Sequence, residues 1–281
     1  MSNDQSYNNF NMIGKKNILG VDITDATKNE VLEYIIKNLE NLRKKLFIVT
    51  PNPEILVLSS KNSSFKNVLN SADLASPDGI GVLIAGKFLG QPLKERFTGV
   101  DLIENLCNRV AEKPITVGFL GGRDGVAEKT VECLRKKHPK LKIAFVGEEW
   151  PSEDFFTKNQ YKVSSIKHKE QENIKDVGKN FLNTEYLIHN TGIDILFVAF
   201  GAPKQEFWIS ENLDKIPVRV AIGVGGAFDY ISGKVPRAPG FIRGIGLEWL
   251  FRLVVQPWRI KRQIALLQFI WLVFRERINQ K

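Results

Sequence analysis

Ile115-Thr116-Val117-Gly118-Phe119-Leu120-Gly121-Gly122-Arg123-Asp124-Gly125 is a short apolar run closing on small and polar residues, and the helical spacing of Gly125–Lys137 follows it at once. An apolar run of this length without polar alternation reads as a strand covered on both faces. Its direct hand-over to a helix reads as one βα unit. The same character recurs in Asn17–Val21, Leu46–Thr50, Lys142–Val146, Ile193–Phe200 and Val218–Val224. Between these runs, Thr27–Leu42, Pro53–Ser60, Val82–Phe88, Gly99–Glu112 and Pro203–Leu213 place apolar residues three and four apart, as helices do. The alternation predicts an α/β fold with a Rossmann-like, mostly parallel sheet and helices on both faces. Ligands of such sheets sit beyond the carboxyl ends of the strands, so the loops there are the places to look for chemistry.

With 43% apolar and 25% charged residues among 281, the composition excludes a disordered chain and a polytopic membrane protein. Residues 1–13 read as a loose polar tail without the basic and apolar regions of a signal peptide, which predicts a cytoplasmic location. Residues 14–235 are expected to form the Rossmann-like domain. The Lys/Asn/Glu-rich stretch 152–191 breaks its rhythm and reads as a polar surface insert. Cys107 and Cys133 lack any metal-ligand spacing and read as ordinary thiols. His138, His168 and His189 likewise show no ligand spacing, and no metal site is expected.

Five loops carry candidate residues, each with a plainer alternative. In Thr50-Pro51-Asn52-Pro53-Glu54, Thr50 and Asn52 offer a hydroxyl and an amide that suit a sugar, while Asn52 followed by Pro53 is also good helix-capping chemistry. In Ser76-Pro77-Asp78-Gly79-Ile80-Gly81, Asp78 is either a turn or cap residue or a general base at the mouth of the sheet. Gly121 and Gly122 before a helix let backbone N–H groups approach an anion, and the Phe200–Glu206 junction adds Lys204 and Gln205 at a second helix start. The spacing is not the dinucleotide fingerprint G-x-G-x-x-G. Gly223-Val224-Gly225-Gly226-Ala227-Phe228-Asp229 joins glycines to an acid, as either a close ligand approach or a bulge requires.

The last segment, residues 236–281, reads as a basic appendage. Lys234–Lys281 holds ten Lys/Arg against two Glu, nearly all of the net charge of +9, which points to an anionic surface. Two helical patterns, Phe241–Val255 and Arg259–Ile278, are separated by Pro257. The run Ile264–Phe274 is shorter than the about twenty apolar residues that span a bilayer, yet with Trp249, Trp258 and Trp271 and the arginines it suits an interfacial helix. Packing on the core or a homo-oligomer contact is the other use of that run. No base-reading motif accompanies the charge, so no nucleic acid is expected.

Taken together, Thr50–Glu54, Pro77–Gly81, Arg96-Phe97-Thr98-Gly99, Gly118–Gly122, Gly201–Glu206 and Gly223–Asp229 resemble, in order and spacing, the WecG/TagA/CpsF glycosyltransferase family. Arg237-Ala238-Pro239, Gly246-Leu247-Glu248-Trp249-Leu250 and Arg252, Pro257, Arg259 and Arg262 resemble that family's C-terminal appendage. The resemblance implies an inverting, metal-independent transferase without a cofactor, acting on an undecaprenyl-diphosphate-linked sugar at the inner face of the cell membrane. In the TagA branch the donor is UDP-N-acetylmannosamine and the acceptor GlcNAc-diphosphoundecaprenol, giving the linkage unit of wall teichoic acid in cell wall biogenesis. Related branches use UDP-N-acetylmannosaminuronic acid or glucose, and the insert is where this chain departs from the family's usual connection. By the same resemblance Asp78 is the base, and Thr50 and Asn52 orient the sugar. Gly121, Gly122, Gln205, Gly225, Gly226 and Asp229 surround the nucleotide-sugar. Arg252, Arg259 and Arg262 meet diphosphate charge, and Arg96 is available to the diphosphate or the acceptor.

Overall fold

The computed structural model describes residues 13–40, 44–150, 192–244, 246–257 and 260–280. The tail 1–12, the whole polar insert 152–191 with His168 and His189, and Trp258 and Arg259 lie outside the described residues. The central sheet has the order β4-β3-β8-β7-β5-β6. It comprises β3 (Leu46–Val49), β4 (Leu74–Ala75), β5 (Thr116–Gly121), β6 (Lys142–Gly147), β7 (Ile193–Ala199) and β8 (Val218–Gly223), and every pairing is parallel. The strands are continuous apolar runs because neither face meets water. In β7, Ile195 and Phe197 enter one core cluster while Leu196 and Val198 enter the other.

The first face is covered by α1 (Lys28–Glu40), α5 (Gly99–Val110), α6 (Val126–Lys137) and the short α8 (Ala227–Ile231). On the second lie α2 (Pro53–Lys61), α3 (Ser63–Ser71), α4 (Ile80–Phe88) and α7 (Lys204–Asn212). Adjacent strands β3 and β8 therefore send their following helices to opposite faces, which opens a crevice between their carboxyl ends, the usual ligand position in such sheets. Two hydroxyls tighten this edge. Thr50 Oγ1 donates to the carbonyl of Gly223 (2.9 Å), and Ser76 Oγ donates to that of Phe97 (2.8 Å).

Three expectations shift. Asn17–Val21 is not a strand of the main sheet; it holds the turn of an antiparallel hairpin, β1 (Gly14–Ile18) and β2 (Val21–Asp25). Leu19 and Gly20 both take positive φ (54° and 80°), and Asn17 accepts from the Gly20 N–H, so two residues inside an apolar run turn the chain. Helix α3 escaped the periodicity because Asn62 both ends α2 and caps α3, accepting from Phe65 N–H (3.0 Å), which leaves no visible gap between the two. The helical pattern Phe241–Val255 divides into α9 (Gly240–Gly244) and α10 (Glu248–Val255) at Gly246, whose φ is 79° and whose missing Cβ would strike Ile80.

The final helix, α11 (Ile260–Asn279), lies along α2 and α4. Phe269 and Val273 enter the second core cluster with Leu266 and Leu272 half-buried beside them, while Ile264, Leu267, Ile270, Trp271, Phe274 and Ile278 stay exposed. One face thus belongs to the core. No described helix is long and apolar enough to cross a membrane. Because Phe269 is buried, Phe269→Ala should cost about 3 kcal/mol and lower the urea midpoint of a single unfolding transition. An unchanged midpoint would show that α11 is not part of the cooperative unit.

Candidate active site

The loops after β3 and β4 meet because Asp78 N–H donates to the carbonyl of Pro51 (2.9 Å) and Phe97 N–H to that of Pro77 (3.0 Å). Asn52 caps α2, its Oδ1 accepting from Ile55 N–H (3.0 Å), with Pro53 at the first helical position. Asp78 does not cap α4, although its carboxyl takes the N–H of Gly99 at the start of α5. The residue at the cap of α4 is Gly79 (φ 96°), without a side-chain cap, so the Asp78 carboxyl is left to face the space in front of the sheet. Gly81 admits this arrangement, since a Cβ there would stand 2.9 Å from Pro53 Cγ.

That space is a cavity of about 620 Å³. Asn52, Asp78, Arg96, Thr98, Tyr230, Glu248 and Arg252 form its polar end. Glu54 and Gln263 add further polar groups, and the rest of the lining is largely apolar, walled by residues of α4, α10 and α11 such as Ile84, Phe88, Leu253, Leu266 and Phe269. Burial pushes the Asp78 carboxyl up to about 6, and the nearby carboxylates of Glu248 and Asp101 add to the rise; the N–H of Gly99 and the charge of Arg96 oppose it. A carboxylate raised in this way is a better base while still mostly ionised at neutral pH.

The surrounding charges form a connected set. Arg237 pairs with Asp101 (2.6 Å) and Glu104 (3.0 Å) of α5 and lies 3.9 Å from Glu248 of α10. Burial alone would raise Asp101, but the Arg237 guanidinium holds it below the usual carboxylate range. Glu248 in turn stands 4.0 Å from Arg96, which also donates to the carbonyl of Arg243 (3.4 Å). The Arg252 guanidinium stacks on the Tyr230 ring at 4.6 Å. Its Nε has no hydrogen-bond partner among the described residues. Burial raises the Tyr230 hydroxyl well above its ordinary value, so this ring stays neutral.

Of the residues singled out in the sequence, Asn52, Asp78, Arg96 and Arg252 line the cavity. Thr50 lies behind it, buried, its hydroxyl given to Gly223. Gln205 is buried too. Its Oε1 accepts from Gly201 N–H (3.2 Å) and Gly225 N–H (3.0 Å) while Nε2 donates to Glu206 (2.8 Å), so it braces the loops after β7 and β8. Gly121 and Gly122 have positive φ and stand tight against Ala199 and Phe228, which packing alone explains. Gly225, also at positive φ, faces open space. Gly226 lies between Arg252 and Asp229, a Cβ there being 3.3 Å from Arg252 Nη2 and 3.5 Å from Asp229 Oδ2. This contact joins the glycine loop to the cavity. Arg259 and the side chain of Arg262 lie outside what is described. Among the described residues no three His, Cys, Asp or Glu gather as a metal-ligand group.

Tyr230, Glu248 and Arg237 were not singled out as site residues in the sequence. Glu248 and Arg237 sit inside appendage motifs, and Tyr230 follows Asp229, but their partners Arg96, Asp101 and Arg252 are far away in the chain, so nothing local marked them.

Comparison with known proteins adds the following. The model of the Glycosyl transferase WecG/TagA/CpsF family matches residues 16–281. An N-acetylglucosaminyldiphosphoundecaprenol N-acetyl-beta-D-mannosaminyltransferase of Bacillus spizizenii is 32% identical over 267 residues, covering 95% of this chain and 93% of the relative. Proteins of the same name from Bacillus subtilis (27% identical) and Staphylococcus aureus (28%) each cover 94% of this chain and 93% of their own length.

The raised carboxyl has a stability consequence whose sign is definite. A folded-state value of about 6 against an ordinary 3.8 means the fold holds this proton more tightly than the unfolded chain does. The stabilisation is complete below about pH 4 and is lost as pH rises through about 6. Asp78→Asn should therefore melt above the wild type at pH 8, with the gap closing near pH 4. A variant that melts lower at pH 8 would refute the costly charge.

Proposed function

This chain belongs to the WecG/TagA/CpsF glycosyltransferase family, and from that premise we propose that it transfers N-acetylmannosamine from UDP to GlcNAc-diphosphoundecaprenol with inversion, making the linkage unit of wall teichoic acid. The observation that carries the reading is Asp78, a carboxyl of raised basicity at the polar end of a cavity that also receives Arg96 and Arg252. The names of the relatives, matched along nearly their whole length, support the same donor and acceptor.

In this reading the acceptor hydroxyl attacks the anomeric carbon as its proton passes to the Asp78 carboxylate. The new C–O bond forms on one face while the bond to the UDP β-phosphate oxygen breaks on the other, which inverts the centre. Arg96 and Arg252 offset the charge growing on the departing diphosphate, and Arg259 and Arg262 would add to them. Asn52 orients a sugar hydroxyl with the amide nitrogen that capping leaves free. Thr50, Gln205, Gly121 and Gly122 shape the loops, and Gly225, Gly226 and Asp229 border the donor. Residues 236–281 act as an appendage that completes the site of the 14–235 domain, since Glu248 and Arg252 both come from it.

The enzyme works at the cytoplasmic face of the membrane, held peripherally by the outer apolar face of α11 and the basic charge beside it on an anionic lipid surface. No metal or cofactor takes part in this scheme, so EDTA should leave transfer unchanged. The second reading is a same-family transfer of N-acetylmannosaminuronic acid or glucose, to which Asp78 would serve equally.

UDP release from UDP-N-acetylmannosamine with a short-chain lipid-diphosphate-GlcNAc tests the reading. Asp78→Asn should lower turnover by about two to four powers of ten, and wild-type kcat/KM should fall about tenfold per pH unit below pH about 6. Unchanged turnover in the variant would remove Asp78 as the base, and transfer from another UDP-sugar alone would replace the donor. Leu267→Ser with Trp271→Ser should weaken binding to anionic vesicles without changing the fold, since both residues are exposed; undiminished binding would remove α11 as the anchor.

A further inference from the structure

We propose that the apolar half of the cavity is a channel of fixed length for the first isoprene units of the lipid-linked acceptor, so that the enzyme grips the chain itself as well as the diphosphate sugar. This rests on the acceptor class proposed above. The warrant is geometric. Ile80, Ile84 and Phe88 recur every four residues along α4, and Leu266, Ile270 and Phe274 do so along α11, so each set is a row on one side of its helix. Both rows line the cavity that holds Asp78, and the α4 row starts two residues from that carboxyl. The ligand such a space fits is amphiphilic, charged at one end and hydrocarbon at the other.

Exposure distinguishes this space from a core. Ile84 is 61% exposed, Phe88 46%, Ile270 57% and Phe274 56%, although all four line the cavity. The apolar wall therefore opens outward rather than closing on itself, and a contiguous wall of this kind marks a binding surface for something apolar. A soluble sugar or nucleotide has nothing to give it. A hydrocarbon attached to the diphosphate, which enters the polar end, satisfies both ends at once.

Length follows from the helix. From Ile80 to Phe88 is eight residues, about 12 Å of helical rise. Four chain bonds advance an extended isoprene unit by roughly 5 Å, so the α4 row matches about two units. Beyond that the chain leaves the protein and belongs to the bilayer. Within the channel, burial of apolar carbon taken from water should raise kcat/KM by about tenfold or more for each added unit.

The test uses the full-length enzyme, UDP-N-acetylmannosamine and GlcNAc-diphosphate esters of prenyl alcohols of one, two, three and four isoprene units. Each is kept below its aggregation concentration and free of detergent and vesicles. The expected result is a steep rise in kcat/KM between the one- and two-unit acceptors and a plateau by three. Ile84→Ser with Ile270→Ser should bring the ratio of the three-unit to the one-unit acceptor towards one; both positions are exposed, so the variant keeps its fold, as circular dichroism would verify. Measurable transfer with no dependence on chain length overturns the channel and leaves the transferase reading standing. A rise that continues undiminished to four units also overturns it, because that is the mark of partition into a bulk apolar phase. Absence of transfer to every acceptor, including the three-unit one on vesicles, overturns the transferase reading and the channel with it.

Discussion

A parallel sheet can exist in water only when both of its faces are covered, and the course of the whole chain follows from that demand. The first face is closed by helices α1, α5 and α6 with α8. The second is not closed by α2, α3, α4 and α7 alone. It takes Phe269 and Val273 of α11, from the far end of the chain, to complete the apolar cluster beside α2 and α4. This return brings the appendage across the mouth of the sheet, where α10 and α11 become walls of the cavity that holds Asp78. Site and core are thus completed by the same segment.

The electrostatics depend on that return as well. Asp78 and Asp101 stand at the start of α4 and in α5, beside the sheet, whereas Glu248 and Arg252 come from α10, near the other end of the chain. Arg237 links the two parts by pairing with Asp101 and Glu104 of α5 and approaching Glu248 of α10. Glu248 does two opposed things: it gives Arg96 a partner at 4.0 Å, and its charge helps push the Asp78 carboxyl upward. The fold carries an ionised carboxylate at neutral pH that its surroundings disfavour. Functional sites commonly hold charges that stability alone would remove.

Much of the fold was legible because its signals are local. Continuous apolar runs such as Ile193–Ala199 and Val218–Gly223 show burial on both faces without any knowledge of their neighbours. Capping at Asn52 and Pro53 was equally visible. Where the reading slipped, a local feature had two meanings. Ile18-Leu19-Gly20-Val21 is apolar enough for a strand, yet Gly20 and Asn17 make it a turn. Asn62 ends one helix and begins another in a single residue, so α3 went unread after the helix read as Pro53–Ser60. In the site, Gln205 and Thr50 look in sequence like ligand-facing polar residues, and the structure adds that both are buried and hydrogen-bonded to backbone groups of the loops around them.

From the sequence alone came the α/β architecture, written in the spacing of apolar runs; the resemblance to the family, carried by motifs ordered along most of the chain; the candidate base in Pro77-Asp78-Gly79; and the basic, partly apolar nature of the C-terminal segment, written in composition. Only the tertiary structure decided that α11 spends one face on the core, and that Glu248 and Arg252 stand in the same cavity as Asp78. It also placed the rows Ile80-Ile84-Phe88 and Leu266-Ile270-Phe274 on one space. The physical reason is range. Periodicity records which side of an element avoids water, but the element that covers that side, and the charges it brings with it, are settled by packing between segments nearly two hundred residues apart.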